Sequence, residues 1–236
     1  GSPVTFSTTA AWGDTDVTFD SNSNKVVIAY TDVNYGGSPG KAIVGTVSGT
    51  SISFGAEVVF DSGNGSTQYS KAIFDSNSNK VVIAYRAGSQ GKAIVGTVSG
   101  TSISFGSANV YESAGMVGRQ TVAFDSQNNK VLIAFRGEYT NAIPGYGKTV
   151  VGTVSGTGIT FSTPIVYSSA QTPYAFSTFD SHNNKAVIAY KGLTGNLDAV
   201  VYQTVTGIVD TNLTSENFVG VSDGAYADGA TATIQT

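Results

Sequence analysis

The sequence predicts an all-β protein: a β-propeller of four blades, each of four antiparallel strands. Three observations carry this. One segment occurs four times: FDSNSNKVVIAY begins at Phe19 and again at Phe74, then returns as FDSQNNKVLIAF at Phe124 and FDSHNNKAVIAY at Phe179. The spacings are 55, 50 and 55 residues, which suits one four-stranded blade per copy. A second segment trails the first three copies, GKAIVGTVSGTSISFG at Gly40 and Gly91 and GKTVVGTVSGTGITFS at Gly147. Both segments are rich in Val, Ile, Tyr and Phe, and no long stretch has a helical period.

The second copy shows the expected elements in order. Ser70 to Asp75 is strand A, and Asn77 to Asn79 form the turn after it. Lys80 to Tyr85 is strand B, and Lys92 to Val98 is strand C. Ser99-Gly100-Thr101 makes a tight turn into strand D, Ile103 to Tyr111. Asn, Ser and Gly supply the backbone angles that these turns need. Strand B is almost continuously apolar, as expected where neighbouring blades cover both faces. Val4 to Trp12 matches Ile52 to Phe60, Ile103 to Tyr111 and Ile159 to Tyr167 without a gap. The chain therefore opens on a strand D with no A, B or C before it. The fourth copy supplies A, B and a C-like strand, Ala199 to Val205. The N-terminal strand is expected to complete that blade and close the ring, which removes exposed sheet edges. In the alternative, the tail and the N-terminal strand together build a fifth blade. The expected organisation is an expression scar at 1–2, the propeller over 3–207, and an extension or linker over 208–236 that completes a blade in the alternative.

Composition narrows the function. Charged residues make up 12% of the 236, and the net charge is −4. There is no basic cluster for tracking phosphates, so a nucleic-acid partner is not expected. There is no cysteine, hence no disulfide framework and no thiolate metal site. No apolar stretch is long enough to cross a membrane as a helix, so membrane insertion is not expected. No cofactor or metal is expected. The recurring D-x-N-x-N, as in Asp20/Asn22/Asn24, has the alternating oxygens of a calcium loop. However, it lacks further acids and a bidentate Glu, and its middle position becomes Gln127 and then His182. It reads as a hairpin turn capped by its Asp. His182, the single histidine, has no nucleophile to serve. Trp12 aligns with Phe60, Tyr111 and Tyr167 and reads as packing between blades.

The strand layout resembles sialidase-type Asp-box propellers, in which the C–D hairpin carries a small-residue turn. Here that turn is SGTS or SGTG, without the Asp and Trp of an Asp-box, so the resemblance concerns architecture only. The near-identical repeats and the ending NFVGVSDGAYADGATATIQT are similar to phage tail-fibre and related virion proteins. That resemblance implies an adhesin-like role, an extracellular or virion-surface location, and a homo-oligomer within a fibre.

Antiparallel blades send the A–B and C–D turns to one face and the B–C and D–A loops to the other. The first face is nearly constant among the copies. The second varies: its B–C loops read TDVNYGGSPG, RAGSQG, RGEYTNAIPGYG and KGLTGNLD. A rigid scaffold with divergent loops on one face reads as a binding face, and free drift of surface loops is the competing explanation. Equivalent positions in a ring converge on one mouth. Five residues before each Phe-Asp pair stand Asp14, Tyr69, Arg119 and Tyr174, and just after strand B stand Thr31, Arg86, Arg136 and Lys191. All three arginines of the chain fall in these two sets. Guanidinium forks suit carboxylates and sulfates, and the loop tyrosines Tyr35, Tyr139 and Tyr146 suit stacking on sugar rings. The ligand-binding candidates are therefore Asp14, Tyr35, Tyr69, Arg86, Arg119, Arg136, Tyr139, Tyr146, Tyr174 and Lys191. Solvated cations with nothing bound are the competing explanation.

The expected function is a non-catalytic binding or adhesion module for a glycan or cell-surface receptor. A glycoside hydrolase and a purely structural fibre spacer are the alternatives. A glycosidase would draw two carboxylates from Asp14, Asp16, Asp32, Asp61, Glu112, Glu138 and Asp198 on the variable face.

Overall fold

The computed structural model describes residues 1–8, 15–33, 37–62, 65–139, 145–172, 174–192 and 195–204, and the backbone of 209–211, 221–222 and 234–235. Candidates Asp14 and Tyr35, and Trp12 with them, lie outside the described residues. For 138–139 and 170–171 the description covers the backbone only.

Among the described residues every regular element is a strand. Blade 1 holds β1 (Asp16–Asp20), β2 (Lys25–Thr31), β3 (Gly40–Ser48), β4 (Ser51–Phe54) and β5 (Val58–Asp61). Blade 2 holds β6 (Thr67–Asp75), β7 (Lys80–Ala87), β8 (Gln90–Ser99), β9 (Ser102–Phe105) and β10 (Asn109–Glu112). Blade 3 holds β11 (Met116–Asp125), β12 (Lys130–Tyr139), β13 (Tyr146–Ser155), β14 (Gly158–Phe161) and β15 (Ile165–Gln171). Blade 4 holds β16 (Ala175–Asp180), β17 (Lys185–Lys191), β18 (Leu197–Tyr202) and β19 (Val209–Thr211). Two short strands further on, β20 (Val221–Ser222) and β21 (Ile234–Gln235), pair with each other.

Pairing within each blade is antiparallel and sequential through the first four strands, while the fifth strand of blades 1 to 3 pairs back onto the third. The first strands of the blades pack side by side, β1 on β6, β6 on β11 and β11 on β16. Side chains from all four, among them Val17, Ala72, Thr121 and Phe176, line one axial cavity of about 340 Å³. Hydrogen bonds tie neighbouring inner strands together. The Ala72 N–H donates to Asp16 Oδ2 at 2.9 Å, and the Ser177 N–H to Thr121 Oγ1 at 3.1 Å. This is a β-propeller.

The second strand of each middle blade is its core. In β7 the run Val81–Tyr85 is wholly buried, and in β12 so is Val131–Phe135. Burying one such side chain stabilises the fold by roughly 1.5–3 kcal/mol. The core is not continuous but divides into clusters that join consecutive blades. One runs from Val27 and Ala29 to Ile83 and Tyr85, the next from Val82 to Ile133 and Phe135, and a third from Leu132 to Ile188. Each blade is thus cemented to the next by the side of its sheet that faces it.

The structure corrects the expected strand D in two ways. It is two strands rather than one. In blade 2, β9 pairs with the far half of β8 and β10 with its near half, leaving Gly106, Ser107 and Ala108 between them. At the break the Gly106 N–H still donates to the Val95 carbonyl at 3.0 Å. The break also brings the chain hard against the next blade: a Cβ on Gly55 would collide with the Thr101 carbonyl, and one on Gly106 with that of Thr157. A glycine is what lets the two backbones meet there.

The second correction concerns the N-terminal register. Phe60 of blade 1 packs edge-on against Tyr85 of blade 2, with ring centroids 5.1 Å apart, and Tyr111 of blade 2 packs on Phe135 of blade 3, also at 5.1 Å. Phe6 packs on Tyr30 of blade 1 at 5.4 Å. Phe6 therefore holds the position of Phe60, not that of Phe54 as the ungapped match predicts. Beside β18 in blade 4 the described residues place β19, paired along Val200–Tyr202.

Candidate functional site

The two ends of the inner strands are built differently. At the A–B turns the four copies repeat one hydrogen-bond pattern. Asp75 Oδ1 accepts the N–H groups of Asn77 and Ser78, both at 3.0 Å, and Oδ2 accepts the Ser78 hydroxyl at 2.6 Å. Asp20, Asp125 and Asp180 do the same with their own neighbours. The last turn residue, Asn24, Asn79, Asn129 or Asn184, has φ of 54–55°, a left-handed conformation that Asn tolerates. The carboxylate oxygens that suggested a calcium loop are thus used within the turn. Burial opposes ionisation of Asp125, but hydrogen bonds from Thr204, Asn128 and Gln127 outweigh it and hold its pKa below the ordinary 3.8.

At the other end, strands β6 and β11 enter the blade through a bulge. The pairing register slips between Gln68 and Lys71 in blade 2 and between Gly118 and Thr121 in blade 3. Each bulge holds one residue in the left-handed region, Tyr69 at φ 56° and Arg119 at φ 50°. Neither residue has the freedom of glycine, and such a conformation costs on the order of 1–3 kcal/mol. Bulges re-aim side chains, and here they build a ladder. Arg86 lies over one side of the Tyr69 ring at 5.0 Å, Arg119 lies 5.8 Å from that ring, and Arg119 also lies over Tyr174 at 4.4 Å. The ladder Arg86–Tyr69–Arg119–Tyr174 crosses three blades. Each rung contributes roughly 0.5–2 kcal/mol as a cation–π contact.

The ladder borders a cavity of about 140 Å³ lined by Tyr69, Lys71, Arg119, Gln120, Tyr174 and Phe176, with Ala175 at its wall. Lys71, Gln120, Ala175 and Phe176 also line the axial cavity beneath, so the two volumes share walls. Gln120 is 2% exposed, and among the described residues neither atom of its side-chain amide has a hydrogen-bond partner. No carboxylate among the described residues pairs with Lys71 or Arg119. Phe176 is 73% exposed and Tyr174 is 49% exposed, large areas of ring for a β-strand start.

The other candidates fall around this centre. Arg86 donates to the Gln68 side chain and to the Val117 carbonyl, so it fixes Tyr69 and ties blade 2 to blade 3. Arg136 is paired across from Gly118, and its side chain packs over that glycine and Gly145. Lys191 is exposed, and its N–H donates to the Tyr174 carbonyl at 3.2 Å. Tyr146 is half-buried at the start of β13, and the Tyr139 backbone pairs with Met116. The structure brings together Tyr69, Arg86, Arg119 and Tyr174. It sets Arg136, Tyr146 and Lys191 outside the cavity lining.

Several of the suggested carboxylates have structural partners. Asp32 and Glu57 both bind Lys41, at 2.7 and 3.0 Å, and Glu112 binds Lys148 at 2.9 Å in a buried pair. Asp61 accepts the Thr67 hydroxyl at 3.0 Å. In the first cluster Tyr30 donates to Glu57, and burial together with that bond pushes the phenol up to about 12.

Lys71, Gln120 and Phe176 were not among the expected ligand residues. Their signal is visible in the repeats: the positions that follow Tyr69 and its equivalents read Thr15-Asp16, Ser70-Lys71, Gln120-Thr121 and Ala175-Phe176. They diverge as much as the positions before them.

No protein-family model matches the chain, and no curated protein matches it. The solved structures similar to it include two glycan-related proteins by their names. One is an α-L-arabinofuranosidase from Podospora anserina in complex with cellotriose, at 11% identity, with a TM-score of 0.48 and 92% of this chain aligned to 72% of that one. The other is the fungal lectin from Aleuria aurantia, a six-bladed β-propeller with a fucose recognition mode, at 14% identity and a TM-score of 0.47. It aligns with 80% of this chain, which spans 58% of the lectin's length.

Proposed function

We propose that this protein is a non-catalytic saccharide-binding module that holds its ligand at the mouth of the inner strands, displayed on an extracellular or virion surface. The observation that carries the reading is the Tyr69–Arg119–Tyr174 ladder bordering an open cavity. Flat aromatic faces held at a fixed angle suit the apolar faces of sugar rings, and polar groups between them suit hydroxyls. The positions that build the ladder are those at which otherwise near-identical repeats differ chemically. Two of them stand in strained conformations, which fits a role in binding better than one in folding. The carboxylates with structural partners support binding over hydrolysis, since a glycosidase needs two acids facing the scissile bond.

A glycan-array screen of the folded protein tests this. Saturable binding to a saccharide class, weakened at least tenfold in Tyr174→Ala, is the expected result. Release of sugar from a bound substrate would replace the reading with a hydrolase. Silence across the array from protein of normal circular dichroism would leave the spacer.

A further inference from the structure

We infer that the saccharide carries an anionic group, a carboxylate or a sulfate, and that Lys71 and Gln120 receive it at the inner end of the mouth cavity. This rests on the reading above and adds the ligand's charge to it.

The argument starts from Gln120. An amide has two donors and an acceptor, and burying one without partners costs the desolvation of all of them with nothing in return. Gln120 is 2% exposed, with both amide atoms unpartnered among the described residues, yet it lines both the mouth and the axial cavity. A fold that only needed to fill this position had an obvious choice, since the equivalent residues are Thr15, Ser70 and Ala175. Lys71 lines the same two cavities. Its equivalents are Asp16, Thr121 and Phe176, so its charge is particular to this site.

Among the described residues, the charges that line the mouth cavity have one sign. Its lining holds Lys71 and Arg119 and no carboxylate, and no described carboxylate pairs with either cation. Asp16 lines only the axial cavity below, where its Oδ2 accepts the Ala72 N–H. Two cations in a concave, partly dry site favour a negative group, and an ammonium and an amide N–H are both donors to its oxygens. Arg119, held between two rings, sets the plane against which the sugar lies. A neutral sugar would leave Lys71 and the Gln120 amide without strong acceptors.

The experiment uses the intact chain and an array of matched oligosaccharides in neutral, uronate-bearing and O-sulfated forms, followed by calorimetry on the hits. The expected result is that the uronate or the sulfated form binds at least about tenfold more tightly than its neutral match, since charge-assisted bonds are the stronger ones. Lys71→Met should bring the acidic ligand down to the level of its neutral match. Gln120→Leu should weaken the acidic ligand alone, and added salt should do the same in the unmodified protein. The uronate and sulfate arms decide which group is meant. Equal binding of neutral and acidic forms, unchanged in Lys71→Met but abolished in Tyr174→Ala, would overturn the inference while the saccharide reading stood. Absence of all saccharide binding would overturn both. If Lys71→Met does not fold, the salt dependence and the matched pairs decide the question in the unmodified chain.

Discussion

The two ends of each inner strand differ in what they hold constant. At the turn end, four aspartates cap four turns with the same bonds to the same backbone groups, and the residue that closes each turn is always Asn with φ of 54–55°. At the mouth end, the equivalent positions read Asp14, Tyr69, Arg119 and Tyr174, and the backbone is strained at two of them. The turn end spends its polar groups on itself. The mouth end leaves a buried amide and two cations facing open space. A duplicated scaffold keeps what the backbone needs to reverse direction and varies what meets a partner, so stability and recognition are separated along one strand.

That separation can be broken most directly at the turn. Asp75→Ala removes three hydrogen bonds to a carboxylate and should cost about 2–3 kcal/mol, read as a lower denaturant midpoint with unchanged slope. Affinity of the folded fraction should not change; a loss of affinity would show that the two ends are coupled. Tyr174→Ala should do the reverse. Calorimetry should find saccharide affinity down by about ten- to a hundredfold, roughly 1.4–2.8 kcal/mol, with stability lowered only by the lost Arg119 contact, roughly 0.5–2 kcal/mol, because the ring is 49% exposed. Arg119→Gly sharpens the contrast further. Glycine occupies φ 50° without strain, so relief of roughly 1–3 kcal/mol should offset most of the two lost cation–π contacts, roughly 0.5–2 kcal/mol each, and leave stability nearly unchanged while binding is lost. Clearly lower stability would mean that the ladder holds the blades together more than the bulge strains them.

The smallest effect is expected from pH. Asp125 and Asp180 are held below their ordinary 3.8 by hydrogen bonds within their turns, at Asp180 chiefly from Asn183. A depressed carboxyl pKa contributes stability above the unfolded value, and that stability is lost as pH falls through the folded one. Acid titration should therefore lower the melting temperature from about pH 4 downward. Asp125→Asn should flatten that limb more than Asp180→Asn, because the turn bonds of Asp180 lie exposed and are screened by water. Identical limbs in both variants would place the acid sensitivity elsewhere, with Glu57 the next group to replace.

Much of this architecture was legible in the repeats. The strands from Lys80 and Lys130 begin where expected, because turn residues and an apolar run bound them. The broken outer strand was not legible. ISFGSANVY reads as one strand on propensity, and only the approach of the Thr157 carbonyl explains why Gly106 interrupts it. The register of the first residues misled for a related reason: GSPVTFS matches both halves of the outer strand, and packing on Tyr30 decides between them. At the site, Tyr69, Arg119 and Tyr174 could be found because equivalence in a ring is a statement about sequence. The bulges could not, since a left-handed Tyr or Arg has no local signature. Gln120 was missed with them, because its burial follows from the bulge and not from its residue type.

The contacts of Phe6 with Tyr30, Phe60 with Tyr85, Tyr111 with Phe135 and Tyr167 with Tyr190 all run in one direction along the chain. In each pair the outer ring is earlier in the sequence than the strand it covers. During synthesis, the ring that covers a sheet's middle strand leaves the ribosome before that strand does. Each blade can then close as it emerges, on a surface its predecessor has already prepared, and the growing chain leaves little unsatisfied apolar edge waiting for residues not yet made.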